Sequence, residues 1–165
     1  MAGPRAAPLP EGVYLFSAVT DAVHHYLSFI EPDEVFRKGL AGEAIIGEVD
    51  ATLSVSPAHF RRNSVFKAFL HEVIARVAPT LPESKQQARE LQNGFLFVID
   101  ARVPDPTGEI LPEDIMGAFR VADGEIVPDS YQINENHRLV SDKGLFRLHP
   151  AIHAELLREL REEQR

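Results

Sequence analysis

The sequence predicts an α+β domain built on a central, twisted, mainly antiparallel sheet of about six strands with helices around it. Two observations carry this. Strand-like and helix-like segments interleave without the regular rhythm of β-α-β units. The solid apolar run Phe95-Leu96-Phe97-Val98-Ile99, between Gly94 and Asp100, reads as a buried central strand.

In chain order, residues 1–11 are rich in Pro and Ala and read as a flexible arm, leaving 12–165 as one domain. Gly12 to Val19 reads as a first strand. Asp21 to Ile30 reads as a helix with Ala22, Val23, Tyr26, Leu27 and Ile30 on one face, stopped by Pro32. A short helical turn follows from Asp33 and ends at Gly39. Ala44 to Val49 and Ala51 to Ser56 read as two short strands. Ser56-Pro57 is a helix-start signal, and Phe66, Phe69, Leu70, Val73, Ile74 and Val77 recur at helical spacing. Arg61, Arg62, Lys67, Glu72 and Arg76 occupy the opposite face. Ser84 to Gln92 reads as a polar surface helix.

After the apolar run, Ala118 to Val121 reads as a strand and Ala122-Asp123-Gly124-Glu125 as a hairpin turn. Ile126 to Ile133 returns beside it. Asn134 to His137 is a polar loop, and Leu139-Val140 and Leu145 to Leu148 flank a turn at Asp142-Lys143-Gly144. Pro150 opens a last helix with Ile152, Leu156, Leu157 and Leu160 as its apolar side.

Composition narrows the function classes. The net charge of −8 disfavours binding to a nucleic-acid backbone. The chain has no cysteine, which excludes disulfides and thiolate chemistry. No stretch is long and apolar enough to span a membrane. The N-terminus lacks the apolar core of a signal peptide, so the expected location is the cytoplasm or delivery by a non-classical route.

The titratable residues offer few patterned sites. His24 and His25 are adjacent and point to different helix faces. His71-Glu72 lacks a second histidine at zinc-protease spacing. His149 and His153 have a metal-permitting spacing, but the first sits at a helix start; no metal is expected. Asn134, His137 and Arg138 form the densest polar cluster. A histidine beside an arginine can bind phosphate or act as a general base, and asparagines also hold loops. Ser56 before Pro57 reads first as a helix cap.

Three pieces of the chain, in order, carry a family resemblance. They are GVYLFSAV followed by Pro32 to Leu40; Ala51-Thr52-Leu53-Ser54-Val55-Ser56; and FLFVIDA followed by Gly108 to Ala118. Together with Ile133-Asn134-Glu135-Asn136 they resemble the mono-ADP-ribosyltransferases of the cholera-toxin and pierisin type, over roughly residues 12–136. The resemblance implies NAD as substrate and transfer of ADP-ribose to a macromolecular target by a bacterial toxin or effector domain. It implies Glu109 as the catalytic carboxylate, stabilising an oxocarbenium-like transition state. Ser54 and Ser56 would line the nucleotide cleft and Tyr14 would stack on a ring of NAD. The family's first-strand arginine falls near Leu15, so Arg37, or else Arg61 or Arg62, would hold the pyrophosphate.

The alternative expectation is a non-catalytic protein of α+β fold that binds another protein, as an immunity or adaptor protein does. Such a protein should expose an apolar patch or a face of one charge. A hydrolase using His137 and a nearby acid is a third expectation. The oligomeric state is left open.

Overall fold

A computed structural model describes residues 9–105 and 107–163. The fold is α+β, with four α-helices and antiparallel sheets among the described residues. Among the described residues ten strands form three separate sheets rather than one central sheet. The described residues divide into two compact units: 9–70, 140–145 and 154–163, and 71–105, 107–139 and 146–153. Of the expected N-terminal arm, residues 1–8 lie outside the described residues, and Pro10 and Glu11 are exposed.

The first unit is built on an antiparallel sheet of four strands, β1 (Tyr14–Val19), β2 (Val23–Ser28), β3 (Gly47–Val49) and β4 (Phe60–Arg62), in that order. The expected helix over 21–30 is therefore a strand. The spacing of Val23, Tyr26, Leu27 and Ile30 fits one helix face, but Val and Tyr favour a pleated surface. Pairing with β1, from Tyr14 opposite Ser28 to Val19 opposite Val23, takes one edge of Val23–Ser28, and β3 takes the other edge at His25, Tyr26 and Leu27. The strand expected from Ala44 shortens to β3, preceded by a single 3-10 turn at Gly42–Ala44. A Cβ on Gly47 would collide with the Phe60 ring and the Arg61 carbonyl, so glycine is what lets β3 and β4 pair there.

The strand expected over Ala51–Ser56 is also absent. Asp50 folds this segment back, accepting bonds from the Thr52 amide (3.0 Å) and hydroxyl (2.5 Å), and Leu53 takes a positive φ of 57°. The helix expected to begin at Ser56-Pro57 begins seven residues later, capped by Asn63, as α2 (Ser64–Val77). Asn63 starts it: its Oδ1 accepts the Val65 amide at 3.2 Å, and its Nδ2 donates to the carbonyls of Gly42 and Ile45. Asparagine is as good a cap as serine, and the intervening β4 uses the residues that the Ser-Pro signal would have made helical. The short helix α1 (Pro32–Lys38) ends at Gly39, whose φ is 81°. The core of this unit contains Leu27, Ile30, Ile46, Phe66, Leu70, Leu156 and Leu160, all fully buried. Phe66 from α2 and Leu156 and Leu160 from α4 (Pro150–Glu163) sit at their predicted helical spacing. A two-stranded hairpin, β9 (Val140–Ser141) with β10 (Gly144–Leu145), turns at Asp142-Lys143.

The second unit carries β5 (Gly94–Ile99), β6 (Ile115–Ala122), β7 (Glu125–Ile126) and β8 (Gln132–Ile133). β6 is the hub, pairing with β5, β7 and β8. The β6–β7 hairpin turns through Asp123 (φ 52°) and Gly124 (φ 78°), the left-handed pair that a two-residue hairpin requires. At Gly117 a Cβ would lie 2.5 Å from the Tyr131 hydroxyl and 2.6 Å from the Gln132 carbonyl, so this glycine admits the return strand. Helix α3 (Pro82–Leu91) follows a 3-10 turn at Ala78–Thr80.

The apolar run Phe95–Ile99 is an edge strand, not a central one: among the described residues β5 pairs with β6 alone. Phe95 is 58% and Phe97 53% exposed, while Leu96, Val98 and Ile99 are half-buried. A continuous apolar run reads as buried on both faces. Here the alternate residues Phe95 and Phe97 face outward instead.

Candidate functional site

The residues implied by the resemblance fall in both units. Tyr14 is half-buried on β1 opposite Ser28. Arg37 is exposed in the last turn of α1. Ser54 and Ser56 lie in the 50–59 turn segment rather than at a strand end, and the Ser54 hydroxyl donates to Ser56 at 3.1 Å. Asp50 anchors that segment. Its carboxyl is held down to about 2, first by the Thr52 hydroxyl and then by His59, whose Nδ1 is 2.6 Å away. Glu109 belongs to the second unit. It is exposed on the loop before β6 and makes no hydrogen bond or ion pair among the described residues. Among those residues no group of three or more metal-ligating side chains is placed to hold a metal ion.

On the face of the four-stranded sheet, His24 Nδ1 lies 2.6 Å from Glu48, which Arg61 also reaches at 3.2 Å. The His24 ring stacks in parallel on Tyr26, two residues along the strand, with centroids 5.8 Å apart. The bond to Glu48 raises the His24 pKa above its ordinary 6.5, and the same bond lowers Glu48 below its ordinary 4.5. The stabilisation from His24 is complete below pH 6.5 and is lost as pH rises through the raised value. That from Glu48 is complete above pH 4.5 and is lost as pH falls through the lowered value. The pair therefore contributes most between those two ordinary values. His24→Gln is expected to lower Tm more at pH 5.5 than at pH 8.5; thermal melts of both proteins at the two pH values check this.

In the second unit, Asn134, His137 and Arg138 gather around a buried charge network. Asp100 is the centre. Its Oδ1 accepts the amides of Arg102 (3.0 Å) and Arg147 (2.9 Å), and its Oδ2 lies 2.9 Å from His137 Nε2. Arg102 reaches Asp114 at 3.1 Å and Asp100 at 3.5 Å, and donates to the carbonyls of Glu113, Arg138 and Leu139. Asn134 Nδ2 donates to the carbonyls of Pro112 and Ile115, and its Oδ1 accepts the Asn136 amide. The Asp–His contact expected of a hydrolase is thus present in distance. Both members are sealed, with Asp100 1% and His137 3% exposed. A substrate has no access to either, and their bonds run to the loops that they tie together. The network is a brace: it fixes the ends of β5 and β6 and the 134–139 loop.

What the second unit leaves open lies along β5. An open groove of about 630 Å³ runs between α3 and the edge of β5. Leu81, Leu96, Val98, Phe119 and Ile152 give it apolar lining, and Glu83, Ser84, Gln87, Glu90 and Leu91 line it from α3. These α3 positions are one, three or four residues apart, the spacing of a single helix face. Sequence reasoning passed over this wall because α3 read only as a polar surface helix.

Protein-family models, curated proteins and solved structures were compared with the chain. None matches it. The groove therefore has to be read from its own chemistry. β5 carries no Lys, no Pro and no charged side chain along its length, Gly-Phe-Leu-Phe-Val-Ile. Those are the devices that ordinarily stop an exposed edge from pairing. Other sheet ends in the molecule have them: β4 carries Arg61 and Arg62, and β7 is two residues long with Glu125. β1 is also uncharged, but its Tyr14, Leu15 and Phe16 are half-buried. No helix among the described residues is long and apolar enough to cross a membrane.

Proposed function

We propose that this chain is a protein-binding module, of the adaptor or immunity kind, that takes an extended segment of a partner onto the edge of β5. The observation that carries this reading is the unguarded edge beside an apolar groove. An edge strand presents a row of backbone donors and acceptors, and a segment added to it gains main-chain hydrogen bonds. The groove then receives alternate side chains, since they point the same way every second residue. Phe95 and Phe97 supply aromatic surface of the kind that anchors interfaces.

Addition of a strand makes a specific expected result. An extended peptide with apolar residues at alternate positions should slow hydrogen exchange at the amides of Gly94–Ile99. Methylating alternate backbone nitrogens of the peptide removes its donors and should abolish the protection. Binding that is indifferent to methylation, or that protects other amides, would rule the reading out.

The transferase expectation rests on the sequence resemblance alone and has its own test. It requires wild-type protein to release nicotinamide from NAD, and Glu109→Gln to lose that release while keeping the wild-type Tm. Turnover of that kind would replace the binding reading.

A further inference from the structure

We infer that the segment docking on β5 is basic, with Lys or Arg side chains directed at the α3 wall of the groove. This rests on the strand-addition reading and narrows its partner. The groove is lined by two carboxylates, Glu83 and Glu90, and by no Lys or Arg. The cations of the same helix are elsewhere: Lys85 and Arg89 do not line the groove, and Arg89 donates to Gln86 at 3.0 Å. Glu83 has a histidine as neighbour, His149 at 3.1 Å, and Glu90 accepts a neutral amide from Gln86 at 3.0 Å. Neither bond requires a permanent positive charge. Glu90 also lies in the last turn of α3, where the helix end carries partial negative charge that adds to its own. The net charge of −8 reinforces the same sign at longer range.

The geometry is compatible with two basic residues on one strand. Glu90 lies seven positions after Glu83 on the helix, a rise of about 10.5 Å. Alternate residues on one face of a strand are about 6.6 Å apart. Two lysines at neighbouring same-face positions, each on a flexible four-carbon stem, reach both carboxylates. The apolar residues of the segment alternate onto the opposite face of the sheet, beside the exposed Phe95 and Phe97.

Charge complementarity also decides against a second copy of this chain as occupant. A copy's own β5 brings no cation, and two such grooves brought together would place four carboxylates in one interface. Like charges facing each other across an interface suppress that pairing.

The test uses three fluorescent peptides matched in length to β5, alternating valine with lysine, threonine or glutamate. Each is titrated by anisotropy against the whole chain and followed by hydrogen exchange. The lysine peptide is expected to bind about tenfold more tightly than the glutamate peptide at low salt. The gap should narrow as salt rises, and the double variant Glu83→Gln, Glu90→Gln should remove most of it. Both positions are on the surface of α3, so a melt of the double variant should match wild type. Equal affinity for the lysine and glutamate peptides, with the β5 amides protected by both, would overturn the charge inference and leave the docking reading standing. Failure of all three to protect β5 would remove the docking reading itself. A dimer whose formation protects β5 without any peptide would assign the edge to a second copy and overturn the inference.

Discussion

Arg102→Met is expected to destabilise the second unit by about 3–5 kcal/mol, the range for removing one partner of a buried ionic network. The guanidinium is buried and touches both Asp100 and Asp114, each 1% exposed. Methionine fills much of the volume, so the loss is not mainly a cavity. What remains is two buried carboxylates that have lost the guanidinium, and the carbonyls of Glu113, Arg138 and Leu139 that have lost its N–H donors, although Glu113 and Leu139 keep the Arg138 and Phe146 amides. Urea denaturation of the variant and wild type reads the difference as a lower midpoint. The companion variant, Arg102→Met with Asp114→Leu, separates lost charge from lost shape. It removes one of the two carboxylates that the guanidinium touched and should recover part of the stability. If the single variant unfolded within about 1 kcal/mol of wild type, the brace would hold nothing that matters.

Phe66→Ala carries an expected loss of similar size, about 3–5 kcal/mol, through a different mechanism. Phe66 is completely buried on α2, with its ring tilted against Phe29 at 6.3 Å between centroids. Truncation removes the transfer energy of a phenyl ring and leaves a void that the buried core around it fills only in part. Phe66→Leu should cost markedly less, because it refills most of the volume. Equal losses for the two variants would mean that the aromatic contact, not the volume, is what stabilises this core.

The sequence made helices legible where one face had no competing use. α2 and α4 have their apolar residues at the expected positions, and the glycine at 39, the proline at 150 and the Asp123-Gly124 turn mark ends that the structure confirms. It misled where a pattern satisfied two periods. Val23 to Ile30 fits a helix face, yet its backbone is taken by β1, a partner that only tertiary pairing supplies. Ser56-Pro57 has the local chemistry of a helix start, but Asn63 caps the helix instead because its amide also holds the Gly42 and Ile45 carbonyls. β5 was legible as a strand and illegible as an edge. An apolar run has the same composition in the middle of a sheet as at its border, and the difference lies in which strands pair with it. The polar loop around Asn134 and His137 was visible as a cluster, but its partner Asp100 is 37 residues away from His137 and nothing local announces the contact.

The sheet ends in the second unit are asymmetric, and this sets where a strand could be added. β5 is open along six residues, whereas the far side of that sheet ends in the two-residue β7, with the equally short β8 also on β6. In the docking proposed above, a partner strand would therefore find six residues of backbone at the β5 border and too little at the opposite one, so this unit offers such a strand one place on its own sheet.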